Sequence, residues 1–166
     1  ALGELGEARD LLRAALTSVE KSYAPGHPRI AICQSNLATV LQDLGELGEA
    51  RDLLRSALAS DEKSCALGHP AIANRQSNLA LVLHAIGELD EARDLMRFAL
   101  ASDEKCSAPG HPTIALRESN LALVLKDLGE LGEARELLTC SYLSLRNLLG
   151  EDHPNTKTAK GNPDSL

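Results

Sequence analysis

Four histidines, His27, His69, His111 and His153, recur at intervals of 42 residues, and each precedes a proline. Imidazole is the commonest metal ligand and general base, so a recurring one is the first candidate for chemistry. A metal needs its donors at about 2 Å, whereas equivalent helices in a stack lie about 8–10 Å apart. The His-Pro corners are therefore read as structural features of helix starts, and no metal is expected. His84 aligns with Gln42 and Lys126, which marks a solvated helix position. Carboxylate pairs such as Asp61-Glu62 and Asp103-Glu104 suggest acid–base work, but sequence neighbours on a helix point apart. They are read as a solvated charged face. Cys33, Cys65, Cys106 and Cys140 form no C-x-x-C pair and share no register, so isolated reduced thiols are expected. The glycines are dispersed, and no Gly-Lys-Ser/Thr run offers a phosphate cradle. No catalytic residue and no cofactor are expected.

The 42-residue interval governs far more than the histidines. It carries Gly45, Gly87 and Gly129, Ala50, Ala92 and Ala134, and Asn36, Asn78 and Asn120. Between 45–86 and 87–128 roughly 30 of the 42 aligned positions are identical, which reads as internal duplication. Within one unit, Pro70 is followed by Ile72, Leu79, Ala80, Leu83 and Ile86, the apolar face of an amphipathic helix that closes at Gly87. A second helix is predicted from about Leu89 to Lys105, with Ala92, Leu95, Met96, Ala99 and Leu100 inward. Each unit is thus a helical hairpin that buries its apolar face against its neighbours.

These residues carry a resemblance. Leu37-Ala38-x-x-Leu41, Gly45 and Ala50-x-x-x-Leu54-x-x-Ala57, repeated as Leu79-Ala80-x-x-Leu83, Gly87 and Ala92-x-x-x-Met96-x-x-Ala99, resemble the tetratricopeptide repeat. The long period, the His-Pro opening and the Ser-Asn-Leu-Ala core are similar to the kinesin-light-chain subclass. Gln34, Gln76 and Glu118 stand where that pattern usually has Trp, and Leu41, Leu83 and Leu125 where it has Tyr. The resemblance implies an all-α fold, a right-handed superhelical solenoid of antiparallel helix pairs over residues 1–154. A lone helix is expected at about 5–22, then units at about 28–64, 70–106 and 112–149. Residues 155–166 have almost no apolar face and read as a polar tail or partial cap.

The helix face opposite the Leu/Ala core should line the concave side. It holds Asn36 in one unit, Asn74, Asn78 and Leu81 in the next, and Leu116, Asn120 and Leu123 in the third, with Arg75 and Arg117 expected at the groove margin. Amides both donate and accept, which suits the backbone of an extended peptide. The resemblance implies a peptide-binding groove here, and thus a protein-interaction scaffold. The alternatives are a regulatory arm of a larger signalling protein and a self-associating array joined through the uncapped first helix. A charge of −7, from 17 Lys+Arg against 24 Asp+Glu, and only Tyr23, Phe98 and Tyr142 as aromatics argue against nucleic acid. No apolar run approaches the roughly 18–20 residues of a membrane span. The start Ala1-Leu2-Gly3-Glu4 lacks the features of a signal peptide, so a cytoplasmic location is expected.

Overall fold

The structure, a computed structural model, describes residues 2–66, 68–107 and 111–161. Among them are eight helices and no strand: α1 (Leu2–Ser22), α2 (Pro28–Asp43), α3 (Leu47–Ser64), α4 (Pro70–Ile86), α5 (Leu89–Cys106), α6 (Pro112–Asp127), α7 (Leu131–Leu149) and α8 (Pro154–Gly161). The fold is all-α.

Local chemistry explains the helix boundaries. Proline holds the first helical position of α2, α4 and α6, where an N–H would have no intrahelical partner. The histidine before it is the N-cap: Nδ1 accepts from the next free amide, that of Arg29 at 3.2 Å, Ala71 at 3.1 Å and Thr113 at 3.3 Å. His153 does the same for Asn155 at 3.2 Å. The structural reading of the His-Pro corners thus acquires a specific role. At the other end, Gly45 and Gly129 adopt φ of 78° and 81°, a left-handed turn that costs glycine little. The amides of Glu46 and Glu130 then reach back to the carbonyls of Leu41 and Leu125, both at 2.8 Å, completing a Schellman closure that starts the next helix at once.

The chain forms two compact units, Ala1–Gly87 and Glu88–Leu166. In the first, α2 packs on α1 and α3, and α3 on α4. Ala38 of α2 and Ala50 of α3 are fully buried, and such small side chains let paired helices approach closely around Leu37, Leu41 and Leu54. In the second unit α6 packs on α5 and α7, and α7 on α8. Ala122, Ala134, Leu121, Leu125 and Leu138 repeat the same core. Each buried leucine contributes about 1.5–3 kcal/mol by leaving water. Arg9 and Arg13 reach Glu46 and Glu49 across the first unit at 2.8 and 2.5 Å, and Arg93 and Arg97 reach Glu130 and Glu133 across the second at 3.2 and 2.7 Å. Solvent-exposed pairs of this kind are screened by water and salt and contribute little, so the apolar layers dominate.

The end of the chain differs from its polar reading. Pro154–Gly161 is a helix, and Thr156 and Ala159 on it are buried. Ala159, Leu145 and Ala115 form one apolar cluster with Tyr142 packed against it. Residues 162–166 of the expected tail lie outside the described residues. No helix among the described residues is long and apolar enough to cross a membrane.

Candidate functional site

The expected groove residues fall into two sets, one in each unit. In the first unit α2 presents Asn36 beside Ile32, an aliphatic side chain that is 50% exposed, while α4 presents an exposed Asn74 and half-buried Asn78 and Leu81. In the second unit α6 presents half-buried Asn120 between Leu116 and Leu123, which are 59% and 40% exposed. Those three share a groove of about 370 Å³ with Leu145 of α7 and Asn155 and Ala159 of α8. The side chains of Asn36, Asn78 and Asn120 make no hydrogen bond among the described residues. Each amide therefore keeps a donor and an acceptor turned to solvent.

Arg75 and Arg117 are not at a groove margin. The Arg75 guanidinium is buried 3.1 Å from Asp61, an ion pair outside hydrogen-bond geometry, and Arg117 donates to Asp103 in a short buried hydrogen bond. Asp61 and Asp103 are buried as well, not part of a solvated face, while their neighbours Glu62 and Glu104 are exposed as expected. The physical reason is desolvation: a charge beneath the helix layer must be paired. The two aspartates need a cation, and each arginine fourteen residues later supplies it. With their charges neutralised in this way, the arginines give the groove no preference for an acidic ligand.

A larger cavity of about 570 Å³ lies beneath the α1–α2 loop, bounded by Tyr23, Ile30, Gln34, Ser56 and Lys63. None of the expected site residues lines it. Gln34 spans part of it by donating to Ser56 Oγ at 3.1 Å. At the equivalent position of the second unit stands Glu118, whose buried Oε2 has no hydrogen-bond partner. Burial, and then the nearby charge of Glu104, pushes its pKa from the ordinary 4.5 up to about 7. The folded chain thus binds this proton more tightly than the unfolded chain. The contribution is fully present below pH 4.5 and lost as the pH rises through 7. Glu118→Gln is expected to raise stability by about 1 kcal/mol at pH 8, water screening of the half-exposed side chain keeping the gain small. At pH 4 the same substitution should be nearly neutral. Urea melts at the two pH values check this, and an equal effect at both would remove the carboxylate as the cause.

Among the described residues no three His, Cys, Asp or Glu side chains converge as a metal-binding group. The cysteines Cys33, Cys65, Cys106 and Cys140 are unbridged.

A family model for the tetratricopeptide repeat matches residues 1–63 and 70–142. No curated protein matches the chain in sequence. Among solved structures, the chain is similar to a Podospora anserina kinesin light chain-like protein with nearly identical TPR-like repeats. Identity is 27%, with 98% of this chain and 77% of that one covered at a TM-score of 0.85. A single-substitution form of the same protein gives 26% identity, the same coverage and a TM-score of 0.87. BtubC from P. vanneervenii shares the fold at 20% identity and a TM-score of 0.70, with 96% of this chain and 61% of that one covered.

Proposed function

The chain belongs to the tetratricopeptide repeat family, and from that premise we propose that it is a protein-interaction scaffold holding an extended partner segment against asparagine-bearing helix faces within each unit, α2 and α4 in the first and α6 in the second. One observation carries the reading. Asn36, Asn78 and Asn120 recur at the repeat interval, yet their amides have no protein partner among the described residues. An asparagine kept to brace the next hairpin would be bonded to it. A free amide on an exposed helix face instead matches the alternating donors and acceptors of an extended backbone. The kinesin light chain-like neighbours support a binding role over a catalytic one, and no reaction is assigned. We place the scaffold in the cytoplasm, where four unbridged cysteines stay reduced.

Random dodecamer peptides displayed on phage and selected on the immobilised chain provide the ligand for a test. Losing a hydrogen bond to a desolvated ligand group costs about 1–3 kcal/mol. Asn78→Ala should accordingly weaken a selected peptide by roughly five- to a hundred-fold in calorimetry, and the Asn36/Asn78/Asn120→Ala triple variant more. The melting temperature should stay near that of the parent. Unchanged affinity together with a sharply lower melting temperature would make the asparagines braces and sink the proposal.

A further inference from the structure

Where the second helix of one hairpin meets the first helix of the next, the same two positions come together at three of the junctions. They hold Asp61 and Arg75 at α3/α4 and Asp103 and Arg117 at α5/α6, both buried ion pairs. At α7/α8 the corresponding residues are Leu145 and Ala159. This exchange removes a long side chain and both charges from one place. What remains there is the groove of about 370 Å³ under Leu116, Asn120 and Leu123, with Leu145 and Ala159, 6% and 3% exposed, in its floor. In the first unit the residues equivalent in sequence to Leu116 and Asn120 are Ile32 and Asn36, and those equivalent to Leu145 and Ala159 are the paired Asp61 and Arg75.

We propose that this groove of the second unit takes a leucine-like, uncharged aliphatic side chain from the bound segment, an inference that rests on the peptide-binding reading above. Its size lies at the lower end of clefts that hold small-molecule ligands, about 300–1,000 Å³, which leaves room for one aliphatic side chain with its flanking backbone. Among the described residues its lining is apolar or neutral, with no charged side chain. A charged occupant would lose its water with no counter-charge in reach. An aliphatic one gains contact with Leu116, Leu123 and Leu145, while Asn120 and Asn155 at the rim are placed to pair with the backbone on either side. The two exposed leucines, costly on a solvent face, are the walls of the pocket. The first unit, with an ion pair at this place, does not offer the same anchor.

The probes are N-acetyl-leucine N-methylamide and its aspartate and lysine counterparts, titrated into the full chain and followed through the methyl resonances of Leu116, Leu123 and Leu145. The leucine probe alone should produce saturable shifts. Leu145→Asp/Ala159→Arg, which rebuilds the pair found at α3/α4 and α5/α6, should weaken it by about tenfold or more. Leu116→Ser, at an exposed position, should weaken it without touching the fold. No shift with any probe, a stronger response to the aspartate or lysine probe, or equal response in both variants overturns the pocket. So do methyl shifts that follow protein concentration or removal of residues 162–166, because the occupant is then a second copy or the chain's own end. The peptides selected by phage separate this inference from its premise. If Asn78→Ala weakens them and Leu145→Asp/Ala159→Arg does not, the scaffold reading stands and the pocket falls. If neither substitution matters, both fall.

Discussion

Asp103→Leu, made alone, is expected to destabilise the second unit by about 3–5 kcal/mol, because it leaves the Arg117 guanidinium buried with its anion gone. Arg117 is 5% exposed and donates to Asp103 across the α5/α6 junction, so water cannot readily replace the lost carboxylate. Adding Arg117→Ala should return most of that loss. The Asp103→Leu/Arg117→Ala double variant writes into α5/α6 the pair that α7/α8 already carries, Leu145 and Ala159, which are buried and packed together. Burying two ions costs nearly as much as their attraction returns, so exchanging a pair for apolar groups of suitable shape is often close to neutral. The same pair of substitutions at Asp61 and Arg75 should be more favourable still, because that ion pair is not a hydrogen bond and leaves Arg75 Nε and Asp61 Oδ2 unsatisfied. Urea melts of the single and double variants measure the difference. If the single variant loses under about 1 kcal/mol, the guanidinium is solvated and its burial has been misjudged.

These pairs also mark where the sequence stops being legible. Helix boundaries are readable because their causes are local: His-Pro sets a start, a left-handed glycine sets a stop, and both recur at the repeat interval. Asp61 reads as solvated because it adjoins Glu62, yet adjacent residues on a helix point about 100° apart, so one can be buried while the other is wet. The signal that finds it is paired exchange. Asp61 and Asp103 go with Arg75 and Arg117, whereas Val19 goes with Cys33 and Leu145 with Ala159. The last helix escapes notice for a different reason. Among its described side chains Thr156 and Ala159 are the buried ones, a stripe too narrow and too weakly apolar to register as periodicity. The division at Gly87 has no signature either, since the flanking repeats are nearly the same sequence. The asparagine faces are readable as positions, and the groove built by Leu145 and Ala159 is not, because it depends on what is absent from a pattern.

Replacing His27, His69, His111 and His153 together by alanine is expected to cost about 2 kcal/mol in each unit, since two caps act in each and one cap contributes roughly 1 kcal/mol. The need for a cap comes from proline. With no N–H at the first helical position, the next amide is the first unsatisfied donor, and the imidazole Nδ1 of the preceding residue accepts from it at 3.1 to 3.3 Å in all four corners. Alanine leaves that donor to solvent. On domains of this size the loss should lower Tm by roughly 8–16 °C in calorimetry. Asparagine also accepts from an N-terminal amide, so the matching His→Asn variant should keep nearly all of the stability. His27 is the exception: its ring stacks on Tyr23 at 4.2 Å between centroids, and His27→Asn loses that contact while keeping the cap. If His→Asn falls as far as His→Ala, the rings act by packing and the capping account fails. If instead the parent binds stoichiometric zinc that both variants lose, the corners are ligands, and the structural reading of the repeated histidine is wrong.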